Sequence, residues 1–195
     1  MSDVIADKTI DGKSSDRALH TLIFDDPECR PFYYENGKSF KDYHKEGEIF
    51  WHKYVTYTEG MSDYWDYSFF NVSVIRYADV LLLYAECLND KGETTEAINI
   101  INKVRARVNV PALPLTMGKA EVLKHLQDKE RPCELALEGS RWYDLVRWGI
   151  VEETLKAHNK PFVENYVDTK HQLFPIPHSE FLLNPDWEQN PNYSK

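Results

Sequence analysis

The sequence is poor in cysteine, and the cysteines that it has form no recognisable pattern. Three are present, at positions 29, 87 and 133, and no two of them stand in a C-x-x-C pair. An odd number without such pairs is untypical of a disulfide framework or a zinc site. Cys87 falls on the apolar side of a predicted helix, where we expect it to pack as a small hydrophobic residue.

Basic residues are in the minority, which argues against one large class of partner. The 195-residue chain has 32 Asp and Glu against 23 Lys and Arg, so its formal net charge is −9. A nucleic-acid-binding protein needs a basic face to displace counterions from the phosphates. The sequence therefore predicts no partnership with nucleic acid.

Long apolar runs are also missing. A membrane-spanning helix needs about 20 consecutive apolar residues, and no stretch of this chain approaches that length. Met1–Gly12 mixes Asp, Lys and Thr without an apolar centre, so the sequence predicts no signal peptide. Apolar residues still make up 42% of the chain, which is enough to form a core, and disorder is not expected.

Motifs of common catalytic and metal sites are absent as well. The sequence contains no glycine-rich phosphate loop and no G-x-S-x-G motif. The seven histidines are scattered and none forms H-E-x-x-H, so we predict no cofactor and no transition-metal site. A calcium site built from the carboxylates of Asp25, Asp26 and Glu28 stays open as an alternative.

Aromatic residues are frequent, at 13% of the chain, and more than half of them fall within residues 32–70. Their neighbours there are Gly, Asp, Asn, Lys and Ser rather than aliphatic residues. A flat ring can cover the apolar face of a sugar, and Tyr and Trp add a hydrogen-bonding edge. The alternative is that the rings hold an irregular segment onto the helices. The candidate ligand-binding residues are Trp51, Tyr57, Tyr64, Trp65 and Tyr67.

Helical periodicity and the positions of Pro and Gly divide the chain into three segments of one mainly α domain. Residues 1–72 are irregular and aromatic-rich, with one short helix near Asp16–Leu22, and residues 73–149 are helical. Residues 150–195 form a proline-rich tail packed on the helices, or alternatively a ligand for a proline-recognising partner. The tail residues expected to point inward are Phe174, Ile176, Phe181, Leu182 and Trp187.

An antiparallel helix hairpin is the clearest predicted element. Its first helix covers Val74–Asn89, Gly92 ends it in a left-handed turn, and the second helix ends near Val108. Opposite positions of such a hairpin have residue numbers with a constant sum, which predicts that Asp79 and Arg105 approach one another as a pair. The predicted inner face of the first helix comprises Tyr77, Val80, Leu81, Tyr84, Ala85 and Leu88.

Two further helical segments carry most of the charged candidates. A third helix begins near Lys119 and reaches Glu130, and Pro132 predicts a kink or a restart because it lacks a backbone N–H. A fourth covers Gly139–Trp148, where charges of alternating sign recur every three positions from Glu138 onward. We expect a structural charge network made of Asp79, Arg105, Glu134, Glu138, Arg141, Asp144 and Arg147.

Several motifs follow one another in the second half of the chain. They are R-Y-A-D-V-L-L-L-Y-A-E at 76–86, A-I at 97–98, I-N-K-V-R-A-R at 101–107, E-R at 130–131, E-L-A-L-E-G at 134–139, R-W-Y-D-L-V-R-W-G at 141–149, L-F-P-I-P at 173–177, N-P at 184–185 and Q-N-P-N-Y at 189–193. W-H-K-Y at 51–54 precedes them. Together and in this order, they resemble the SusD/RagB family of nutrient-binding outer-membrane lipoproteins, over about residues 71–195.

The resemblance implies a mainly α-helical protein with tetratricopeptide-like hairpins that is not an enzyme. It also implies a place on the cell surface of Bacteroidetes, in the outer membrane, through a lipidated N-terminal cysteine. Family members cap a SusC-like TonB-dependent transporter and capture oligosaccharides or peptides for import.

The chain departs from the family pattern in length and at two positions. Family members are much longer, and their signal peptide, lipidated cysteine and most tetratricopeptide-like helices have no counterpart here. We therefore expect a C-terminal part, with an exposed apolar patch that would receive the missing N-terminal half. Pro132 stands where the family usually continues a helix, often with Arg, and Cys87 stands where Ala is usual. Ligand contacts vary among members, so the resemblance transfers no binding residue.

Three functions are compatible with these features. The first, which we favour, is a non-catalytic glycan- or nutrient-binding protein acting with a transporter, and the second is a helical interaction scaffold that binds no small ligand. The third is a glycoside hydrolase using Glu134 and Glu138, because such enzymes need two carboxylates roughly 5–10 Å apart. Nearby arginines would lower the pKa of these carboxylates, which is the wrong direction for a general acid.

Overall fold

The computed structural model describes residues 1–29, 39–54 and 71–194. Within these ranges the regular structure is mostly helical, and the strands form one small two-stranded sheet. The prediction of a mainly α fold is confirmed. The chain divides into two units, Met1–Arg141 and Trp142–Lys195.

Two short helices open the first unit. Helix α1 spans Ser2–Ile5 and helix α2 spans Asp16–Thr21, close to the predicted Asp16–Leu22. Ser15 caps α2, because its side chain accepts a hydrogen bond from the Ala18 N–H. Without this cap the first N–H groups of so short a helix would lack partners.

The small sheet follows α2 directly. Strand β1 (Leu22–Ile23) pairs antiparallel with strand β2 (Phe50–Trp51), and a 3₁₀ turn at Phe40–Asp42 lies between them in the chain. The register places Leu22 opposite Trp51, so β2 is tied to a buried strand. The core of this region comprises Val4, Ala18, Leu22, Phe24, Cys29 and Cys133.

Helices α3 (Tyr77–Asp90) and α4 (Thr94–Arg107) form the predicted antiparallel hairpin. Gly92 makes the turn with φ of +89°, a conformation that residues with a Cβ rarely adopt. Its N–H donates to the Asn89 carbonyl at 3.1 Å, which satisfies one of the last acceptors of α3. The hairpin core comprises Leu82, Ala85, Leu88, Ala97, Ile98, Ile100, Ile101, Val104, Val122 and Leu126.

The hairpin buries half of the predicted inner face of α3: Leu81, Ala85 and Leu88 lie in the core as expected, and Tyr77, Val80 and Tyr84 do not. The apolar residues of α3 that are buried or half-buried in the core are Leu81, Leu82, Ala85 and Leu88. Tyr77, Val80 and Tyr84 are instead 77%, 47% and 52% exposed, and Cys87 is exposed rather than packed. The prediction failed for these exposed residues because α3 carries apolar residues around most of its circumference, so a 3.6-residue period fits more than one face.

The third predicted helix changes its hydrogen-bonding pattern before Pro132. Helix α5 (Lys119–His125) passes into a π-helical turn (Leu126–Glu130) and then into α6 (Arg131–Glu134). At the junction the N–H of the first α6 residue donates to the Leu126 carbonyl, five residues earlier rather than four. Pro132 has no N–H with which to continue the α-helical pattern. The predicted restart is therefore confirmed.

The second unit is built from short helices. Helix α7 (Arg141–Trp148) starts at the last residue of the first unit and is followed by α8 (Val151–Ala157), a 3₁₀ turn at Pro161–Asn165, α9 (Asp168–His171) and α10 (His178–Leu183). Its buried core consists of Leu145, Val151 and Leu155. In the described residues of both units, no helix has the length and apolar character needed to cross a bilayer.

The proline-rich tail packs less of its apolar surface than predicted. Phe181 is buried, but Phe174, Leu182 and Trp187 are exposed. Polar side chains hold the extended segment: Gln189 receives a hydrogen bond from the Ile176 N–H at 2.8 Å and donates one to its carbonyl at 2.9 Å. These hydrogen bonds order the backbone of the extended segment, but the rings of Phe174 and Trp187 stay exposed.

Candidate functional site

Glu130 lies at the centre of a buried charge cluster in the first unit. Its fully buried carboxylate has Arg17 Nη1, from α2, 2.6 Å from Oε1 and Arg105 Nη1, from α4, 2.6 Å from Oε2. His125 Nε2 lies 2.9 Å from the same Oε2. Arg17 also donates to both oxygens of Asp7, at 2.7 and 2.8 Å. The carboxylate therefore joins α2, α4 and the π-helical turn.

Glu134 extends the cluster along α6. Arg107 Nη2 lies 2.7 and 2.8 Å from its two oxygens, and Arg76 Nη1 lies 3.1 Å from Oε1. Arg17 Nη1 is 3.7 Å from Oε2. Since the Glu134 side chain is 1% exposed, these three guanidinium groups offset the cost of removing its charge from water.

Glu138 binds two cations that lie far apart in the sequence. Lys53 Nζ is 2.7 Å from Oε1, and Arg76 Nε is 2.7 Å from Oε2. Lys53 also donates to the Ala136 carbonyl at 2.9 Å, and Arg76 donates to the Glu134 carbonyl at 2.9 Å. Residues 134–138 therefore bind both Lys53 and Arg76, which are the two ends of the intervening stretch of sequence.

The electrostatics of the cluster stabilise the charged form of its carboxylates. Burial raises the pKa of Glu130, but the hydrogen bond from His125 and the charges of Arg17 and Arg105 outweigh it and lower the pKa to about 2. Burial likewise raises the pKa of Glu138, and hydrogen bonds from Arg76 and Lys53 lower it by more. The expectation that basic neighbours lower carboxylate pKa values is confirmed for these two groups.

The predicted pair of Asp79 and Arg105 does not form. Asp79 Oδ1 lies 2.8 Å from Arg131 Nη1, whereas Arg105 contacts Glu130 and donates to the Pro111 carbonyl at 2.7 Å. The constant sum of residue numbers identifies opposite positions along the hairpin axis, but it does not say which way a side chain points. Arg131 of α6 pairs with Asp79, and Glu130 of the π-helical turn pairs with Arg105.

The predicted row of charges from Glu138 to Arg147 is not a single helix face. Glu138 lies before helix α7 and contacts Lys53 and Arg76, so it is not on a common face with the later charges. Arg141 donates to the Gln127 carbonyl at 2.7 Å. Within α7, Asp144 and Arg147 form an i, i+3 ion pair at 3.0 Å.

A cavity of about 250 Å³ opens beside the cluster. Glu134, Glu138 and their basic partners form one wall, and His20, Thr21, Tyr54 and Ser73 contribute to the rest. Tyr54 adopts φ of +70°, which is rare for a residue other than Gly, Asn or Asp. Each of the four basic side chains that line the cavity lies within 4 Å of a carboxylate; they are Arg17, Lys53, Arg76 and Arg107.

The structure describes one of the five candidate ligand-binding aromatics. Trp51 lies in β2 and is 40% exposed, two residues before the Lys53 anchor. The other four candidates lie outside the described residues; they are Tyr57, Tyr64, Trp65 and Tyr67.

The carboxylates proposed for calcium have other contacts. Asp25 lies 3.1 Å from Lys41 Nζ, and Asp26 accepts hydrogen bonds from the Ser14 hydroxyl and the Glu28 N–H. Among the described residues, no group of three or more His, Cys, Asp or Glu side chains has an arrangement that could hold a metal ion.

The sequence did not reveal several members of the cluster. Lys53, Arg76 and Arg107 each lie in a motif that supports the family resemblance, so the motifs marked them without showing their partners. Arg17 and Asp7 lie in the irregular N-terminal segment and have no such signal. Arg17 contacts Glu130, more than a hundred residues away, and Asp7 joins the cluster through Arg17.

The helical hairpin and the ordered motifs together define a mainly helical, tetratricopeptide-like fold. A model of the SusD family matches residues 32–193, and the chain belongs to this family. SusD-like protein P38 from Formosa agariphila is 35% identical over 132 residues, which cover 63% of this chain and 25% of that protein. SusD-like protein P2 from the same organism is 30% identical over 131 residues, 63% of this chain and 26% of that protein.

Solved structures show the same fold. A SusD superfamily protein from Bacteroides vulgatus aligns with 98% of this chain and 43% of its own length, with 29% identity and a TM-score of 0.77. A SusD homologue from Bacteroides thetaiotaomicron aligns with 98% of this chain and 42% of its own, with 26% identity and a TM-score of 0.63. The chain therefore spans about a quarter of its curated relatives and less than half of these solved chains.

Proposed function

We propose that the chain is part of a non-catalytic protein that captures a glycan at the surface of the outer membrane and acts with a SusC-like TonB-dependent transporter. Members of the SusD family are surface glycan-binding proteins that work with SusC transporters, and membership of this family is the broadest support. Because the chain spans about a quarter of its curated relatives, the location, ligand and partners of the whole protein belong to the proposal.

The double contact of Glu138 is the observation that carries the proposal. Its carboxylate holds Lys53 and Arg76, and these two residues flank the aromatic-rich stretch of the sequence. A segment whose ends are fixed in advance loses less conformational entropy when it binds a ligand. Trp51 stands exposed next to one anchor. The proposed sugar-contacting residues are Trp51, Tyr57, Tyr64, Trp65 and Tyr67.

The state of the carboxylates supports binding rather than hydrolysis. A glycosidase needs one carboxylic acid whose pKa is raised, so that it can protonate the leaving group. The pKa of Glu138 is lowered instead, and Glu134 is surrounded by three arginines. The two cations that bind Glu138 thus make it unsuited to be the general acid of the alternative enzyme.

An interaction scaffold without a small ligand is the second candidate function. Its support is a separate observation, the exposure of Tyr77, Val80 and Tyr84 on α3. Contiguous exposed apolar side chains commonly mark protein interfaces. A scaffold and a glycan-binding protein differ in one measurable respect, namely affinity for a polysaccharide.

Native affinity electrophoresis with amylopectin, xylan, galactomannan and laminarin tests the proposal. We expect at least one polysaccharide to retard the chain without release of reducing sugar, and Tyr64→Ala and Trp65→Ala to weaken the retardation at least tenfold. Tyr43→Ala is the matched control, because Tyr43 is an exposed tyrosine outside the candidate set. Glu138→Gln is expected to weaken the retardation less, with an unchanged circular dichroism spectrum.

Two outcomes would reject the proposal in different directions. No retardation by any polysaccharide, together with co-purification of a transporter, would favour the scaffold. Release of reducing sugar that disappears in Glu134→Gln would favour the hydrolase.

A further inference from the structure

The cavity beside the charge cluster is lined in part by polar side chains that make no hydrogen bond within the described residues. Thr21 lines it and is only 1% exposed, yet its hydroxyl has no partner there. The same holds for the hydroxyls of Tyr54 and Ser73 and for the carboxylate of Asp16, which also line the cavity. Because buried polar groups nearly always have a hydrogen-bond partner, the hydroxyl of Thr21 indicates that another molecule supplies one.

Arg107 adds hydrogen-bond donors to the same cavity. Its Nη2 contacts both oxygens of Glu134, but in the ranges that the structure describes its Nε and Nη1 make no hydrogen bond, and its side chain is 56% exposed. The exposed imidazole of His20 lies nearby in α2 and stacks on His52, with 6.4 Å between the ring centroids. Arg107 can only donate hydrogen bonds, the Asp16 carboxylate can only accept them, and hydroxyl groups do both. The cavity therefore suits a ligand whose own groups donate and accept.

The charges around the cavity favour a neutral ligand. The cluster and the cavity wall contain equal numbers of basic and acidic side chains, five of each. They are Arg17, Lys53, Arg76, Arg105 and Arg107, and Asp7, Asp16, Glu130, Glu134 and Glu138. An anionic ligand would meet no net positive charge to offset the cost of leaving water.

The size of the cavity limits the ligand to about one sugar ring. Its volume of about 250 Å³ lies below the roughly 300–1,000 Å³ of sites for drug-sized ligands. Each hydroxyl of a sugar both donates and accepts hydrogen bonds, and the C–H face of the ring can pack on an aromatic side chain such as that of Tyr54. Tyr54 has a φ of +70°, and residues in such rare backbone conformations are concentrated at ligand sites.

We propose that this cavity is a subsite for one neutral sugar unit at the end of a glycan chain. Thr21, Ser73, Asp16 and the Nε and Nη1 groups of Arg107 bind the hydroxyls of that unit, and the next unit lies outside the cavity. The inference rests on the proposed function, because it assigns the place and the class of the terminal sugar. It is tested with monosaccharides, so its failure can be distinguished from failure of glycan binding as a whole.

Saturation-transfer NMR of the chain with the methyl glycosides of glucose, galactose, mannose and xylose tests the subsite. We expect at least one glycoside to receive saturation from the protein, and Thr21→Val and Ser73→Ala each to weaken the signal about fivefold by removing one hydroxyl partner. Thr95→Val is the matched control, because Thr95 is an exposed threonine of α4 that does not line the cavity. Ser73 is exposed, so Ser73→Ala keeps the test valid even if Thr21→Val disturbs the fold.

A trisaccharide of the sugar that binds tests whether the subsite takes a chain end. Only one ring fits the cavity, so we expect the protons of one terminal ring to receive about twice the saturation of the middle ring. Equal saturation of all three rings would contradict an end-on subsite.

Three results would overturn the subsite. They are no saturation of any glycoside, a signal that neither Thr21→Val nor Ser73→Ala weakens, and a stronger signal from galacturonate than from the neutral glycosides. If polysaccharides still retard the chain in native electrophoresis, the failure concerns the cavity alone. If they do not, glycan binding itself is rejected.

Discussion

The buried charge cluster and the α3 stripe, which is the exposed row of Tyr77, Val80 and Tyr84, are two parts of the first unit that contrast in burial. In the cluster, charges that water would solvate are buried, yet Glu130, Glu134 and Glu138 all have basic partners within the same chain. In the stripe, apolar side chains that water disfavours are exposed, and the described residues leave them so. The buried carboxylates are thus neutralised within the chain, whereas the apolar side chains of α3 remain in contact with solvent.

The largest expected effect comes from removing a cation from the cluster. Arg17→Met leaves Glu130 and Asp7 without their shared partner in a buried site, and such a loss typically costs about 3–5 kcal/mol. Urea unfolding followed by circular dichroism measures the change in the free energy of unfolding. Lys156→Met is the control, because it removes a solvent-exposed i, i+4 pair with Glu152, worth about 0.5 kcal/mol or less. Similar losses of unfolding free energy in Arg17→Met and Lys156→Met would mean that the cluster does not stabilise the fold.

Adjacent leucines on α3 separate its two faces. Leu82 is fully buried and Leu83 is 38% exposed. Leu82→Ala removes core packing and is expected to lower the free energy of unfolding by about 2–5 kcal/mol. Leu83→Ala is the matched control, with an expected loss below about 1 kcal/mol, since a partly exposed side chain gains less from burial. A larger loss at Leu83 than at Leu82 would reverse the assignment of the faces.

Sequence reasoning identified the hairpin, its turn at Gly92 and the restart near Pro132, because each depends on a local backbone property. It placed Leu81, Ala85 and Leu88 on the inner face of α3 correctly but chose Val80 instead of Leu82, because both are apolar and only the neighbouring helices distinguish them. It named Glu134 and Glu138 as members of a charge network but missed Arg17, whose partner Glu130 is distant in sequence, and with it Asp7, which pairs with Arg17. Ion pairs between residues that are distant in sequence produce no periodic pattern or characteristic spacing in the sequence.

The cluster also predicts a loss of stability in acid. The folded-state pKa of Glu130, about 2, lies below its ordinary value of 4.5. Its charged form therefore contributes stability that is complete above about pH 5 and is lost as the pH falls from 4.5 towards 2. We expect the difference in unfolding free energy between the parent chain and Glu130→Gln to shrink over that range. A difference that stays constant from pH 7 to pH 3 would contradict the lowered pKa.

The smallest change in stability is expected for a substitution in the stripe, which distinguishes the stripe from the buried cluster. Val80 is 47% exposed, so the substitution Val80→Ser creates no cavity in the core. We expect this substitution to change the free energy of unfolding by no more than about 0.5 kcal/mol. The same change removes exposed apolar surface, so it should reduce binding of an anilinonaphthalene dye to the chain. Lys103→Ser on α4 should not alter the dye binding. If Val80→Ser instead destabilised the fold by several kcal/mol, the stripe would be part of the core, and the distinction between the two regions would fail.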